Sequence, residues 1–301
     1  MDKKKSISLP LSLSLFAAFT VANGLIRAPF FRTTLLSFFA ALISGIITLP
    51  LLTLLFKRVR IKSKTVLTAA FLSASVFLFI AAWLSFGEYC DFVYGAVLTK
   101  TDMWLIKSVF AFCVFSLSVS KNSAVYKFAF LSFVLLAGVF SVLFLMSAKT
   151  FDFKNLSGAF GLSGFSLSDT GVYFLNLILP SVAAVLFFCM TDSGVSAAGV
   201  LCGVSAGAIF CTVAVLDSVL SFGLSLAAKL SYPYIDDIST VTAGSLFTRM
   251  DGFAYFTFFA CYVLKCAVCI KTAARLLRRA GIKYEKTAVG LLCIASAVFA
   301  A

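Results

Sequence analysis

Long apolar runs without a charged side chain constrain this sequence more than any other feature. Residues 33–56, 65–86 and 172–190 form such runs, and each has about the 20 residues that one helical crossing of a bilayer requires. Hydrophobic residues make up 61% of the chain and charged residues only 12%, which is too little polar surface for a water-soluble domain. The sequence therefore predicts an all-α membrane protein.

Polar interruptions divide the chain into candidate membrane spans. The first apolar run follows Lys3, Lys4 and Lys5, as in a signal peptide, but no small-residue cleavage site follows it, so we predict it as the first helix. The last run has fifteen residues and is short for a crossing. The nine predicted spans are 9–26, 33–56, 65–86, 103–119, 125–146, 172–190, 194–216, 244–270 and 287–301.

Basic residues are distributed unequally between the two sides of these spans. Cytoplasmic segments of membrane proteins carry an excess of Lys and Arg, which predicts a cytoplasmic amino terminus and, with nine spans, an outer carboxyl terminus. We attribute the net charge of +13 to this orientation and to attraction for anionic lipid, and not to nucleic acid. The predicted inner basic residues are Lys3, Lys4, Lys5, Lys57, Arg58, Arg60, Lys62, Lys64, Lys121, Lys127, Lys271, Arg275, Arg278, Arg279, Lys283 and Lys286.

The residue types and motifs of enzymes and metal sites are missing from the sequence. There is no histidine, which removes the commonest metal ligand and general base, and no phosphate-binding or zinc-protease motif occurs. Cys266 and Cys269 form a C-x-x-C pair inside an apolar run, where a thiolate is costly. We predict no enzymatic activity, no cofactor and no metal.

Two segments of equal length suggest an inverted repeat. Residues 87–102 and 271–286 are both predicted as loops, and they face opposite sides of the membrane, as an inverted repeat demands. We predict one transmembrane domain, 1–301, with repeat one at about 9–147 and an incomplete repeat two at about 156–301.

Helix-breaking residues occur at matching places in spans one and six. Paired interruptions of this kind mark a binding site between repeats, although Gly and Pro also merely kink many membrane helices. Asp169 has two open roles, pairing with a ligand ammonium or lying in a solvated loop. The predicted ligand-binding residues are Ala22, Asn23, Gly24, Ser168, Asp169, Thr170 and Gly171, and Pro180 is a predicted structural residue.

Small and charged residues inside the other spans receive structural interpretations. Gly199, Gly203 and Gly207 recur every four residues and predict a flat face that a neighbouring helix approaches closely. We predict that Asp217 is solvated near the outer boundary, and that Lys107 and Lys265 extend to the interface. Residues 271–286 can form a basic amphipathic helix on an anionic leaflet, or contact a cytoplasmic partner.

The segment 232–265 resembles the spore germination GerAB-type permeases. Its Tyr232–Pro233 pair leads to Gly244, and then to Arg249 with Asp251 two residues on. Leu177 to Pro180 is similar to that family's sixth helix, although Thr170 and Gly171 stand where an acid often lies. We expect Arg249, Asp251 and Pro233 to have architectural roles at the outer end of the eighth span.

The resemblance implies a leucine-transporter-like helical bundle of ten helices, of which the tenth is missing or truncated here. It also implies a germinant receptor B subunit that senses a small nutrient such as an amino acid, beside A-type and C-type subunits in the spore inner membrane. Two alternatives stay open: an amino acid permease or secondary transporter in the cell membrane, and a degenerate accessory subunit without a ligand.

Overall fold

A computed structural model describes residues 9–24, 35–58, 64–156, 170–171, 174–175, 181–187, 197–230, 232–240, 251–281, 289–290 and 293–294. Regular structure in these ranges is helical, and five of the helices are long and apolar enough to cross a membrane. The helices are α1 (Leu9–Gly24), α2 (Leu35–Arg58), α3 (Lys64–Phe92), α4 (Met103–Val119), α5 (Asn122–Ser147), α6 (181–187), α7 (Ala197–Phe222), α8 (Leu224–Ala227), α9 (Pro233–Thr240) and α10 (Asp251–Arg279).

The hydropathy pattern located most of these helices correctly. Helices α1 to α5, α7 and α10 each fall on one predicted span, because every backbone amide in hydrocarbon must be hydrogen-bonded within its own helix. The predicted spans 172–190 and 287–301 lie mostly outside the described residues.

The first of the two predicted sixteen-residue loops is wrong, because helical structure continues through residues 87–97 of it. Helix α3 runs to Phe92 and passes into a π-helical turn at Val93–Val97. Tyr89 is buried and stacks on Phe110 of α4, with ring centroids 4.7 Å apart. This aromatic contact keeps the chain helical beyond Glu88, where the hydropathy pattern predicted a loop.

The second predicted loop is helical from Lys271 to Arg279, since α10 continues that far. Lys271 donates a hydrogen bond to the Ser120 carbonyl, and Arg275 donates one to the Asn122 side chain. Helix α10 ends where Gly281 takes a φ of 109°, a conformation that favours glycine at helix ends. The prediction of a basic helix lying on the membrane surface is therefore wrong for Lys271 and Arg275, because both are hydrogen-bonded to the turn between α4 and α5.

Arg275→Ala is expected to destabilise the protein more than Arg278→Ala. The Arg275 guanidinium lies 5.2 Å from the centre of the Phe187 ring and bonds Asn122, whereas Arg278 is exposed. A charged hydrogen bond of this kind contributes about 1.5–3 kcal/mol. Thermal unfolding of the two purified variants measures the difference, and equal melting temperatures would contradict the role given to Arg275.

The interior of the bundle is built around α1 and α10. Helix α1 packs against α7, α5 and α10, while α10 packs against α3, α4 and α5. Residues Leu15 to Ala18, Val21 and Ala22 of α1 are fully buried. Large apolar side chains of the surrounding helices are exposed, among them Ile43 and Phe112, as expected for surfaces that face lipid. The chain is an integral, multi-pass membrane protein.

Candidate functional site

The small-residue face of α7 lies directly against α1. A Cβ atom added at Gly203 would lie 2.6 Å from Phe16 Cβ and 2.8 Å from the Leu13 carbonyl oxygen. One added at Gly207 would collide with Thr20 Cβ and lie 2.9 Å from the Ala17 carbonyl oxygen. The Cys211 thiol also donates to the Thr20 carbonyl at 3.7 Å. These contacts fix the position of α1, which carries the first predicted break.

The residues of the first predicted break are at the carboxyl-terminal end of the described part of α1. Ala22 is fully buried inside the bundle. Asn23 and Gly24 are helical, while their side-chain environment lies outside the described residues. The structure therefore places Ala22, one of the three predicted binding residues of span one, in the interior.

The second predicted break is described at only two of its positions. Thr170 and Gly171 are helical and half-buried, and a Cβ added at Gly171 would meet nothing within 4 Å. Ser168, Asp169 and Pro180 lie outside the described residues. Contacts between the two breaks are likewise not among those that the structure describes, so their pairing stays a prediction.

Lys265 lies much deeper than its sequence context predicted. Because α10 extends from Asp251 to Arg279, Lys265 is near its midpoint, about 20 Å from either end at 1.5 Å per residue. A lysine side chain cannot extend that far, and the residue is only 2% exposed. Its ammonium lies 4.9 Å from the centre of the Tyr262 ring. The prediction that Lys265 reaches the interface is wrong.

Lys107 lies close to a helix end, unlike Lys265. It is four residues from the start of α4, and its ammonium lies 5.7 Å from the centre of the Trp104 ring. It is 8% exposed, so its stem is covered by protein, and the interface position of its ammonium stays a prediction. An ionisable residue deep inside a membrane bundle is a functional candidate by default. Of the two lysines, Lys265 is therefore the functional candidate.

Asp217 is buried, which contradicts its predicted solvated position. The residue lies within α7, which extends to Phe222 rather than ending near Leu216, and its exposed fraction is 0%. The Ser147 hydroxyl donates to its Oδ1 at 2.6 Å. Charge alone did not reveal this burial, because the sequence does not show that α5 and α9 cover this end of α7.

The C-x-x-C pair of α10 is part of the apolar interior. Cys266 and Cys269 are both 0% exposed and are free thiols. The Cys266 thiol donates to the Ala82 carbonyl of α3 at 3.7 Å. Within the described ranges, no group of three or more metal-ligating acids, cysteines or histidines occurs.

An apolar cavity of about 370 Å³ lies between the end of α3, α4 and α10. Aromatic rings from Tyr89, Phe110 and Phe259 form much of its wall. Its rim includes Leu105 and Phe256, which are more than half exposed and therefore face lipid in a membrane. The cavity suits a hydrocarbon chain rather than a polar nutrient, and it is separate from the predicted breaks.

Comparison with known protein families identifies the chain. A family model described as spore germination protein matches residues 33–300. The chain belongs to the spore germination permease family. The match covers every helix from α2 onward, so the resemblance seen around Arg249 and Asp251 extends over most of the permease. A comparison with curated proteins finds no match.

A solved structure similar to this permease is that of a Na⁺-coupled sialic acid symporter in a substrate-bound, outward-open state. The two chains share 14% sequence identity at a TM-score of 0.59, and the match covers 97% of the permease and 71% of the symporter. This likeness confirms the predicted leucine-transporter-like helical bundle. The family and the fold are those of permeases and transporters, not of enzymes.

Proposed function

We propose that this permease is the membrane-embedded B subunit of a germinant receptor, which senses a small nutrient such as an amino acid. The family match over residues 33–300 carries the proposal, and the transporter-like fold supports it because such folds bind small solutes between their repeats. Its partners in this proposal are the A-type and C-type receptor subunits in the spore inner membrane.

The proposed nutrient site lies between the two helix breaks. Ala22 is fully buried, and its helix α1 packs against α5, α7 and α10, as expected for a residue next to a central site. Freed backbone amides at half-helix amino termini favour a carboxylate group, so an amino acid suits the site. The proposed lining residues are Ala22, Asn23, Gly24, Ser168, Asp169, Thr170 and Gly171.

The proposed topology has a cytoplasmic amino terminus and an outer carboxyl terminus. The first repeat would comprise α1 to α5, which end at Ser147, and the second would begin near Leu156 after two short 3₁₀ turns. Lys271 and Arg275 then face the cytoplasm together with the turn between α4 and α5 that they bind. The basic side chains of that turn, including Lys121, follow the same rule of orientation.

Ligand-dependent thermal stabilisation of the detergent-purified permease tests this function. A ligand that binds only the folded state raises the melting temperature progressively with its concentration, and the added stability is about 2.7 kcal/mol at 100 times its Kd. We expect one class among amino acids, sugars and nucleosides to give this shift. No shift with any class would favour the accessory-subunit alternative.

Asp169→Asn separates the two roles of that acid. If the carboxylate pairs with a ligand ammonium, removing its charge is expected to weaken nutrient binding at least tenfold, about 1.4 kcal/mol. The affinity is read from the concentration dependence of the thermal shift in both proteins. Unchanged affinity would place Asp169 in a solvated loop.

Transport is the second candidate function, and the likeness to a substrate-bound symporter favours it. Reconstitution of the permease in liposomes distinguishes the two candidates. Nutrient uptake into the lumen identifies a transporter, whereas saturable binding without uptake identifies a sensor.

A further inference from the structure

Three structural elements bring a pair of buried acids together at the carboxyl-terminal end of α7. Ser147 closes α5, Asp217 lies in the last turns of α7, and Asp237 lies on α9. Both acids are 0% exposed, and the charge of Asp237 acts on the Asp217 carboxyl group. Tyr234 of α9 is buried beside the pair and is affected by both charges. The nutrient site proposed above does not involve this cluster.

Most of the carboxylate oxygens in this cluster have no partner. Asp217 Oδ1 accepts from Ser147, but Asp217 Oδ2 and both oxygens of Asp237 are buried without a hydrogen bond. The Ser221 hydroxyl lies near Asp237 but is paired with the Thr150 hydroxyl at 3.1 Å. Buried polar groups in native proteins are nearly always paired, and an unpaired buried carboxylate is especially unfavourable.

We propose that Asp217 and Asp237 bind a hard divalent cation that fastens α9 to α5 and α7. The surrounding donors are oxygens, supplied by the two carboxylates and by the hydroxyls of Ser147 and Ser221. All-oxygen sites with carboxylates select Ca²⁺ or Mg²⁺ over softer metals. Ca²⁺ suits a buried, irregular site better, because Mg²⁺ demands octahedral geometry and retains several waters.

Charge balance supports a divalent ion over a monovalent one. Among the described residues, the other titratable groups on the elements around the pair are Tyr234 and Asp236 on α9 and the exposed Lys149, Asp152, Lys154 and Lys229 in the turns beside α5, α7 and α8. None of these lysines hydrogen-bonds to Asp217 Oδ2 or to Asp237. Two adjacent carboxylates carry two negative charges, which one divalent cation neutralises.

Protonation is the competing way to neutralise the pair. Burial raises the pKa of Asp237 to about 6, and the nearby Ser221 hydroxyl partly opposes this rise. A carboxyl group whose pKa is raised by folding stabilises the protein when protonated. Stability of the cation-free permease is therefore expected to fall as pH rises from about 4 to about 6. At pH 7 the Asp237 carboxyl group, whose pKa is about 6, is mostly charged and available to a cation.

Thermal unfolding of the full-length permease in detergent at pH 7 tests the site. EDTA-treated protein is titrated with CaCl₂, MgCl₂ or NaCl, and choline chloride controls for ionic strength. We expect a concentration-dependent rise that reaches about 5 °C with CaCl₂ and a smaller one with MgCl₂. Equilibrium binding of ⁴⁵Ca²⁺ is expected to give one ion per chain.

Two variants make the result specific to the pair. Asp237→Asn removes one buried charge, so it is expected to raise the melting temperature of the EDTA-treated protein and to abolish the CaCl₂ shift. Asp236→Asn alters the adjacent, half-buried acid of α9 and is expected to retain the shift. A CaCl₂ shift that survives in Asp237→Asn, a shift produced by NaCl alone, or stabilisation by acid without any cation effect would each overturn the proposal.

Discussion

Gly207→Ala is expected to destabilise the permease by about 1–3 kcal/mol, the usual cost of forcing an extra carbon into a well-packed interface. The added Cβ would collide with Thr20 Cβ and lie 2.9 Å from the Ala17 carbonyl oxygen. Both neighbours belong to α1, so the substitution would push α1 away from α7. Thermal unfolding in detergent, followed by size-exclusion chromatography after heating, measures the loss.

Gly138→Ala is the matched control for this substitution. Gly138 lies in the middle of α5, is exposed, and a Cβ added there would meet nothing within 4 Å. Alanine is favoured over glycine inside a helix by about 0.8–1 kcal/mol, so the control is expected to be neutral or stabilising. Opposite signs for the two glycines support the close approach of α1 and α7, and equal effects would contradict it.

Lys265→Met is expected to raise the melting temperature, since it removes a charge from the middle of the bundle while keeping the volume of the side chain. Replacing buried ionic groups by apolar residues of similar size often stabilises proteins by about 1–4 kcal/mol. The contact with the Tyr262 ring offsets only part of the cost of burying the Lys265 charge, because cation–π contacts contribute about 2 kcal/mol when desolvated. The negative charge of Glu88 interacts with Lys265. Because Glu88 is only half-buried, Lys265→Met does not leave it as a fully buried charge.

Lys107→Met is the matched control for this prediction. Lys107 lies near the start of α4 and is 8% exposed, against 2% for Lys265, so its replacement is expected to change the melting temperature much less. If Lys265→Met destabilises the permease as strongly as a cavity-forming substitution, the ammonium contributes to stability and its burial is not a cost. A stabilised variant that no longer responds to nutrient would show that the lysine is retained for function.

The sequence predicted which segments are helical, because long apolar segments lie in the bilayer and must satisfy their backbone hydrogen bonds there. It did not predict where α3 and α10 end, since charged residues such as Lys271 and Arg275 were taken as loop positions. Their partners, the Ser120 carbonyl and Asn122, lie about 150 residues away along the chain. Contacts of this length cannot be read from local composition.

Single charged residues were misplaced for the same reason. The depth of Lys265 depends on where α10 ends, and the burial of Asp217 depends on α5 and α9 packing over α7. The glycine spacing in α7 predicted a flat face, and the structure shows the close approach at Gly203 and Gly207. That α1 is the opposing helix became evident only from the structure. Sequence periodicity describes one helix face, whereas the opposing surface is a property of the fold.

Equilibrium binding of a radiolabelled nutrient, chosen as the one that stabilises the purified permease, tests the central claim most directly. The account predicts saturable binding at one site per chain that is lost in Gly24→Leu, because a large side chain at the first break fills the proposed pocket. Gly138→Leu, on the exposed face of α5, is predicted to bind like the unaltered permease. Full binding by a folded Gly24→Leu variant would contradict a nutrient site between the two breaks.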